Sequence, residues 1–113
     1  MSRDWRGFLE DMLASCEHSI SFVAGMDFAG FCRDQKTRSA VQREIFVIGE
    51  AAKQLPIEVR TRYPDVNWRG LAGLQDVLAH QYFRIDDAIV WDLLVNELPL
   101  LLTKLKRIDA SEP

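Results

Sequence analysis

Trp5-Arg6-Gly7-Phe8-Leu9-Glu10-Asp11-Met12-Leu13-Ala14-Ser15-Cys16-Glu17-His18-Ser19-Ile20-Ser21-Phe22-Val23 places an apolar side chain at every third or fourth position. Trp5, Phe8, Leu9, Met12, Leu13, Cys16, Ile20 and Val23 fall on one stripe of a helix. Asp4 precedes the stripe as a candidate N-cap, and Gly25 follows it as a stop. His18 lies off the stripe and is expected to face solvent. The same period recurs downstream. Val41, Ile45, Ile48, Ala52 and Leu55 predict a helix from Thr37 to Leu55, capped by Thr37 or Ser39 and stopped by Pro56. Residues 57–63 read as a short helical turn. A third helix starts near Val66-Asn67-Trp68 and runs to about His80, with Gly70 and Gly73 as small residues for close packing. A fourth runs from after Asp86 to Ile108 and is bent by Pro99. Residues 110–113 read as a frayed tail. No stretch alternates with a period of two. These features predict an all-α, antiparallel four-helix bundle with one short extra helical turn. The surplus apolar surface of Leu94, Leu98, Leu101, Leu102 and Leu105 predicts a homodimer.

The length of 113 residues predicts a single domain over 1–113. A net charge of −3 argues against a general nucleic-acid coat protein, which carries a basic excess to neutralise phosphates. Any nucleic-acid surface would have to be local. Cys16 and Cys32 are far apart, fit no C-x-x-C pattern and read as free thiols of a reducing compartment. The amino-terminal residues lack the apolar core of a signal peptide, and no apolar run is long enough to span a bilayer. A cytoplasmic location, away from membranes, is the expectation.

Chemistry concentrates in Gln75-Asp76-Val77-Leu78-Ala79-His80-Gln81-Tyr82. Asp76 and His80 are i and i+4 on the third helix, so a carboxylate can meet the imidazole and favour its charged form. The helix C-terminus favours the same form. Both effects suit His80 to proton transfer near neutral pH. A histidine that only closes a helix end is the plainer alternative. Neither His18 nor His80 has a second His or a Cys at ligand spacing, so no metal site and no cofactor are expected.

The segment resembles the R-x4-H-x-Y signature of HepT-like toxins, minimal HEPN-domain ribonucleases. His80 and Tyr82 fall on its His and Tyr, while Gln75 stands where the arginine belongs. Further matches follow in order along the chain. Ile48-Gly49-Glu50-Ala51-Ala52 resembles the family's G-E-A segment, Tyr63-Pro64-Asp65-Val66-Asn67-Trp68 its Y-P-x-x-x-W approach, and His80 to Asp86 its H-x-Y-F-x-I-D block. Val90-Trp91 and Leu98-Pro99 match the closing helix.

The resemblance implies a metal-independent endoribonuclease, the toxin of a type VII toxin–antitoxin pair. His80 is then general base or acid, and position 75 is the phosphate clamp. Asp76 orients His80 or the clamp, and Glu50 contacts the signature helix or pairs with an arginine. Tyr82 is the residue to which an MNT-type nucleotidyltransferase antitoxin attaches adenylate. RNA and that antitoxin are the implied partners. Tyr82 reads equally as a packing aromatic with its hydroxyl at the rim.

Gln75 carries no charge, so activity is expected to be impaired. Three explanations fit: an engineered change, a natural loss of activity, or substitution by Arg69, Arg84 or Arg43. The alternative function is a catalytically silent HEPN module that binds RNA, nucleotide or its nucleotidyltransferase. A purely structural helical dimer would leave Asp76, His80 and Tyr82 idle.

Overall fold

A computed structural model describes residues 4–80 and 84–112, without the side chains of Ala79 and His80. The described residues form an all-α bundle. Helix α1, Trp5–Phe22, is capped by Asp4, whose carboxylate accepts the Arg6 backbone N–H at 3.2 Å. The chain reverses at Gly25, whose φ of 79° suits a residue without Cβ. A short helix follows, α2, Phe28–Arg33. Asp27 starts it by accepting the Gly30 N–H at 2.8 Å.

Helix α3, Gln35–Gln54, begins earlier than its apolar stripe indicated. Its cap is Asp34, not Thr37 or Ser39. One Asp34 oxygen accepts the Thr37 N–H at 3.0 Å, and the other accepts the Thr37 hydroxyl at 2.9 Å. A carboxylate satisfies the orphan donors of the first turn and suits its positive dipole end. Helix α4, Ile57–Arg62, follows Pro56. Helix α5, Trp68–His80, opens where Asn67 Oδ1 accepts the Gly70 N–H at 3.0 Å. The Trp68 indole N–H donates to the Tyr63 carbonyl at 3.0 Å, which fixes the bend through the Tyr-Pro segment.

The last helical rod comprises α6, Asp87–Asp92, a π-helical turn, Leu93–Glu97, and α7, Leu98–Ser111. Pro99 was expected to bend one continuous helix. The irregularity lies just upstream, where the Leu98 N–H bonds to the Leu93 carbonyl five residues back. Proline cannot donate to a carbonyl four residues back and crowds that turn. The widened turn absorbs the misfit, and Pro99 sits in the first turn of α7, where the missing N–H costs least.

Packing centres on α1 and α3, with α5 against α3 and α7 against α1. Leu9, Met12, Cys16, Phe31, Val41 and Leu105 are fully buried there, each side chain contributing roughly 1.5–3 kcal/mol for the larger ones. Burial pushes the Cys16 thiol up to about 12, with Glu17 adding to the shift, so it is inert at neutral pH. Leu94, Leu98, Leu101 and Leu105 are buried within the bundle, and Leu102 is partly buried against its core. They are therefore not the surplus that was expected to drive dimerisation. The exposed apolar side chains are others, among them Val77, Ile89, Val95 and Leu100.

Residues 110–112 are held more firmly than a frayed tail, and Pro113 lies outside the described residues. Glu112 accepts from Arg62 Nη2 at 2.6 Å, Arg62 Nε at 3.0 Å and the Tyr63 hydroxyl at 3.1 Å. The Arg62 hydrogen bonds hold the Glu112 carboxyl below its ordinary value of 4.5. A carboxyl lowered on folding stabilises above that value, and the contribution disappears as pH falls past it into the lowered range. The melting temperature of the parent should therefore drop more steeply than that of Glu112→Gln as pH falls below 4.5. Equal slopes in a thermal titration would show that the contact contributes nothing.

Candidate functional site

Helix α5 carries Gln75, Asp76 and His80, and α3 carries the residues that face the first two. The crossing is close because position 49 is glycine. A Cβ there would lie 2.6 Å from the Leu71 carbonyl oxygen and 2.7 Å from the Gln75 Cβ. Both distances are far inside contact range, so any side chain would push the helices apart. Gly49 is buried, whereas Glu50 beside it is exposed and has no ion pair among the described residues. Gly70 and Gly73 do not supply the close approach. A Cβ at 73 meets nothing within 4 Å, and one at 70 meets the Asn67 cap.

One turn after Gly49, the Lys53 ammonium reaches across to α5. It donates to Gln75 Oε1 and, at 3.0 Å, to Asp76 Oδ1. Its side chain is 33% exposed and that of Asp76 60% exposed. Lys53 stands in the last turn of α3, where the negative end of the helix dipole favours a cation. Among the described residues, this is the cation that meets Gln75. Arg43, one of the arginines considered for that role, lies instead beside Glu44 at 3.7 Å. That buried carboxylate is also 3.5 Å from His18 Nδ1, and His18 is exposed as expected and stacks on Phe22. Lys53 was missed from sequence because it lies 22 residues from Gln75. The signal was present in the Gly49–Lys53 spacing of four, which puts the glycine and the ammonium on one helix face.

His80 closes α5, four residues after Asp76 and so roughly 6 Å further along the axis. Its side chain lies outside the described residues, as do Gln81, Tyr82 and Phe83. Among the described residues, no group of three or more His, Cys, Asp or Glu side chains is gathered as metal ligands would be. None of the described helices is long and apolar enough to cross a membrane. A groove of about 280 Å³ separates α5 from the last helical rod, lined by Leu71, Leu74, Ile89, Leu93, Leu100 and Lys104 among others.

A family model described as Ribonuclease HepT-like matches residues 12–108. A protein of Methanocaldococcus jannaschii named as a candidate RNase is 42% identical over 106 residues, which cover 94% of this chain and 88% of that protein. Another candidate RNase, from Caldanaerobacter subterraneus subsp. tengcongensis, is 38% identical over 107 residues, 95% of this chain and 96% of its own. A protein of Thermococcus cleftensis named Probable ribonuclease HepT is 32% identical over 108 residues, 96% and 98% of the two chains. No solved structure matches.

Proposed function

The chain belongs to the HepT-like ribonuclease family, and from that premise we propose that it is an endoribonuclease whose reaction centres on the carboxy-terminal end of α5. The observation that carries this reading is the placement of Gln75, Asp76 and His80 within two turns of one helix, with a lysine ammonium held against the first two. Sequence and structure supply a carboxylate, a cation and one of the two proton-transfer groups that RNA transphosphorylation uses.

A base takes the proton of a ribose 2′-hydroxyl. The 2′-oxygen attacks the adjacent phosphorus, and the bond from phosphorus to the 5′-oxygen breaks. An acid returns a proton to that leaving oxygen. The products are a 2′,3′-cyclic phosphate and a free 5′-hydroxyl. His80 fills one of the two proton-transfer roles, and Asp76 at i+4 biases its charge state. The step is taken to be metal-independent, as the resemblance to the family's signature implies. Activity is lowered by Gln75, which offers a neutral amide in place of a guanidinium.

The biological setting is a toxin–antitoxin pair, acting in the cytoplasm as a homodimer. Exposed Ile89, Val95 and Leu100 favour self-association. The partner is a nucleotidyltransferase that adenylylates Tyr82, adding charge and bulk close in sequence to His80.

Purified protein should cleave single-stranded RNA in EDTA and leave cyclic-phosphate ends. Coexpression with a nucleotidyltransferase encoded beside it should add adenylate mass to the parent but not to Tyr82→Phe. RNA left intact by both the parent and Gln75→Arg would reject the ribonuclease in favour of a silent binding module.

A further inference from the structure

The contact between Lys53 and Gln75 fixes more than a helix crossing. An ammonium can only donate hydrogen bonds, so the carboxamide oxygen of Gln75 must face it. The two N–H groups of the Gln75 amide are then unable to serve Lys53. The ammonium itself has three N–H groups, of which Gln75 Oε1 and Asp76 Oδ1 accept two. Among the described residues, one ammonium N–H and the two Gln75 amide N–H groups are left without an acceptor, one helical turn before His80, and Asp76 offsets the ammonium's charge. Close backbone packing brings the two helices together there. Gly49, one turn before Lys53 on α3, lets α3 approach the Gln75 backbone directly.

We propose that Lys53 and the Gln75 amide together form the binding site for an RNA phosphate, with Lys53 supplying the cation and Gln75 orienting it. The proposal rests on the ribonuclease reading above and names the group that holds its substrate. The site is assembled from two helices, α3 and α5, and position 75 is a working part of it. A phosphate oxygen takes the third ammonium N–H and an amide N–H. It also competes with Asp76 for Lys53, since both are anions at one cation. Arrival of RNA therefore loosens the Lys53–Asp76 pair and leaves the Asp76 carboxylate to its i+4 neighbour, His80.

This competition separates a phosphate site from a structural ion pair. Were the pair only structural, removing either partner would have the same consequence. At a phosphate site the two removals act in opposite directions. The probe is a short, labelled single-stranded RNA of mixed sequence, and binding is measured by anisotropy in a His80→Ala background to prevent cleavage. Lys53→Met should bind about tenfold more weakly, the scale of one charged hydrogen bond. It should also reduce the salt slope of log K by roughly 0.7, the loss of one phosphate contact on a single strand. Lys53→Arg should restore both. Asp76→Asn should bind more tightly than its parent. Methionine keeps the stem of the lysine side chain, and a thermal melt of each variant confirms folding. Unchanged affinity and salt slope in Lys53→Met, with cleavage also unchanged when His80 is present, would overturn the assignment while leaving the ribonuclease intact. A parent that neither binds nor cleaves RNA would instead remove the premise, and the phosphate site with it.

Discussion

RNA cleavage should rise roughly 10- to 100-fold in Gln75→Arg and fall by roughly 10²–10⁴-fold in His80→Ala. The double variant should be as inactive as His80→Ala alone. A guanidinium at position 75 offers bidentate hydrogen bonding and permanent charge to a transferring phosphate. Removing a preorganised donor from a developing oxyanion typically costs 10²–10³ in rate. The gain on restoring one is smaller here because Lys53 already places a positive charge at Gln75. The same reasoning makes the two positions coupled. Lys53→Met should cost less in the Gln75→Arg background than in the parent, a departure from additivity expected of groups sharing one ligand. Without His80 the proton transfers have no agent, and a better clamp has nothing to assist. Initial rates on a fluorogenic RNA, in EDTA, measure the parent and the five variants. Equal rates for the parent and Gln75→Arg would defeat the clamp argument.

Two glycines that look alike in sequence should respond to alanine with opposite signs. Gly73→Ala should stabilise the protein by roughly 0.5–1 kcal/mol, because alanine is the better helix former and its Cβ meets nothing within 4 Å. Gly49→Ala gains the same intrinsic preference but forces a methyl to 2.6 Å from the Leu71 carbonyl oxygen. A backbone atom cannot rotate away as a side chain can, so the helices must separate. Overpacking of this kind costs roughly 1–3 kcal/mol, enough to reverse the sign. Separation should also pull Lys53 from Gln75 and Asp76, so Gly49→Ala should lose RNA cleavage beyond its loss of stability. Denaturant melts give the first quantity, and rates measured well below the melting temperature give the second. A Gly49→Ala protein as stable and active as its parent would show that the crossing is looser than described.

The sequence alone determined the helices with long apolar stripes. Trp5 to Val23 and Val41 to Leu55 can bury their apolar side chains only as helices, because the period is set by 3.6 residues per turn. Proline and capping residues determined several ends, as with Pro56 after α3, Asp4 before α1 and Asp86 before α6. These are local effects, and local chemistry is written in order along the chain. The family was legible for the same reason, since its motifs are short and consecutive. The sequence did not show that Asp34 caps α3 or that residues 28–33 form a helix, because neither feature carries an apolar period. Nor did it show the π turn, whose cause at Pro99 lies downstream of its effect.

The candidate site divides in the same way. Gln75, Asp76 and His80 lie on one helix, and spacing suffices to group them. Lys53 and Gly49 belong to another helix, and only the packing of α3 on α5 brings them to Gln75. Which small residue permits that approach depends on what a Cβ would strike, and that is a property of the partner helix. Gly49 strikes a carbonyl and Gly73 strikes nothing. The cation at position 75 was likewise a question of distance across the bundle. Tertiary structure answered it with Lys53, because hydrogen bonding between side chains depends on separation in space and is indifferent to separation along the chain.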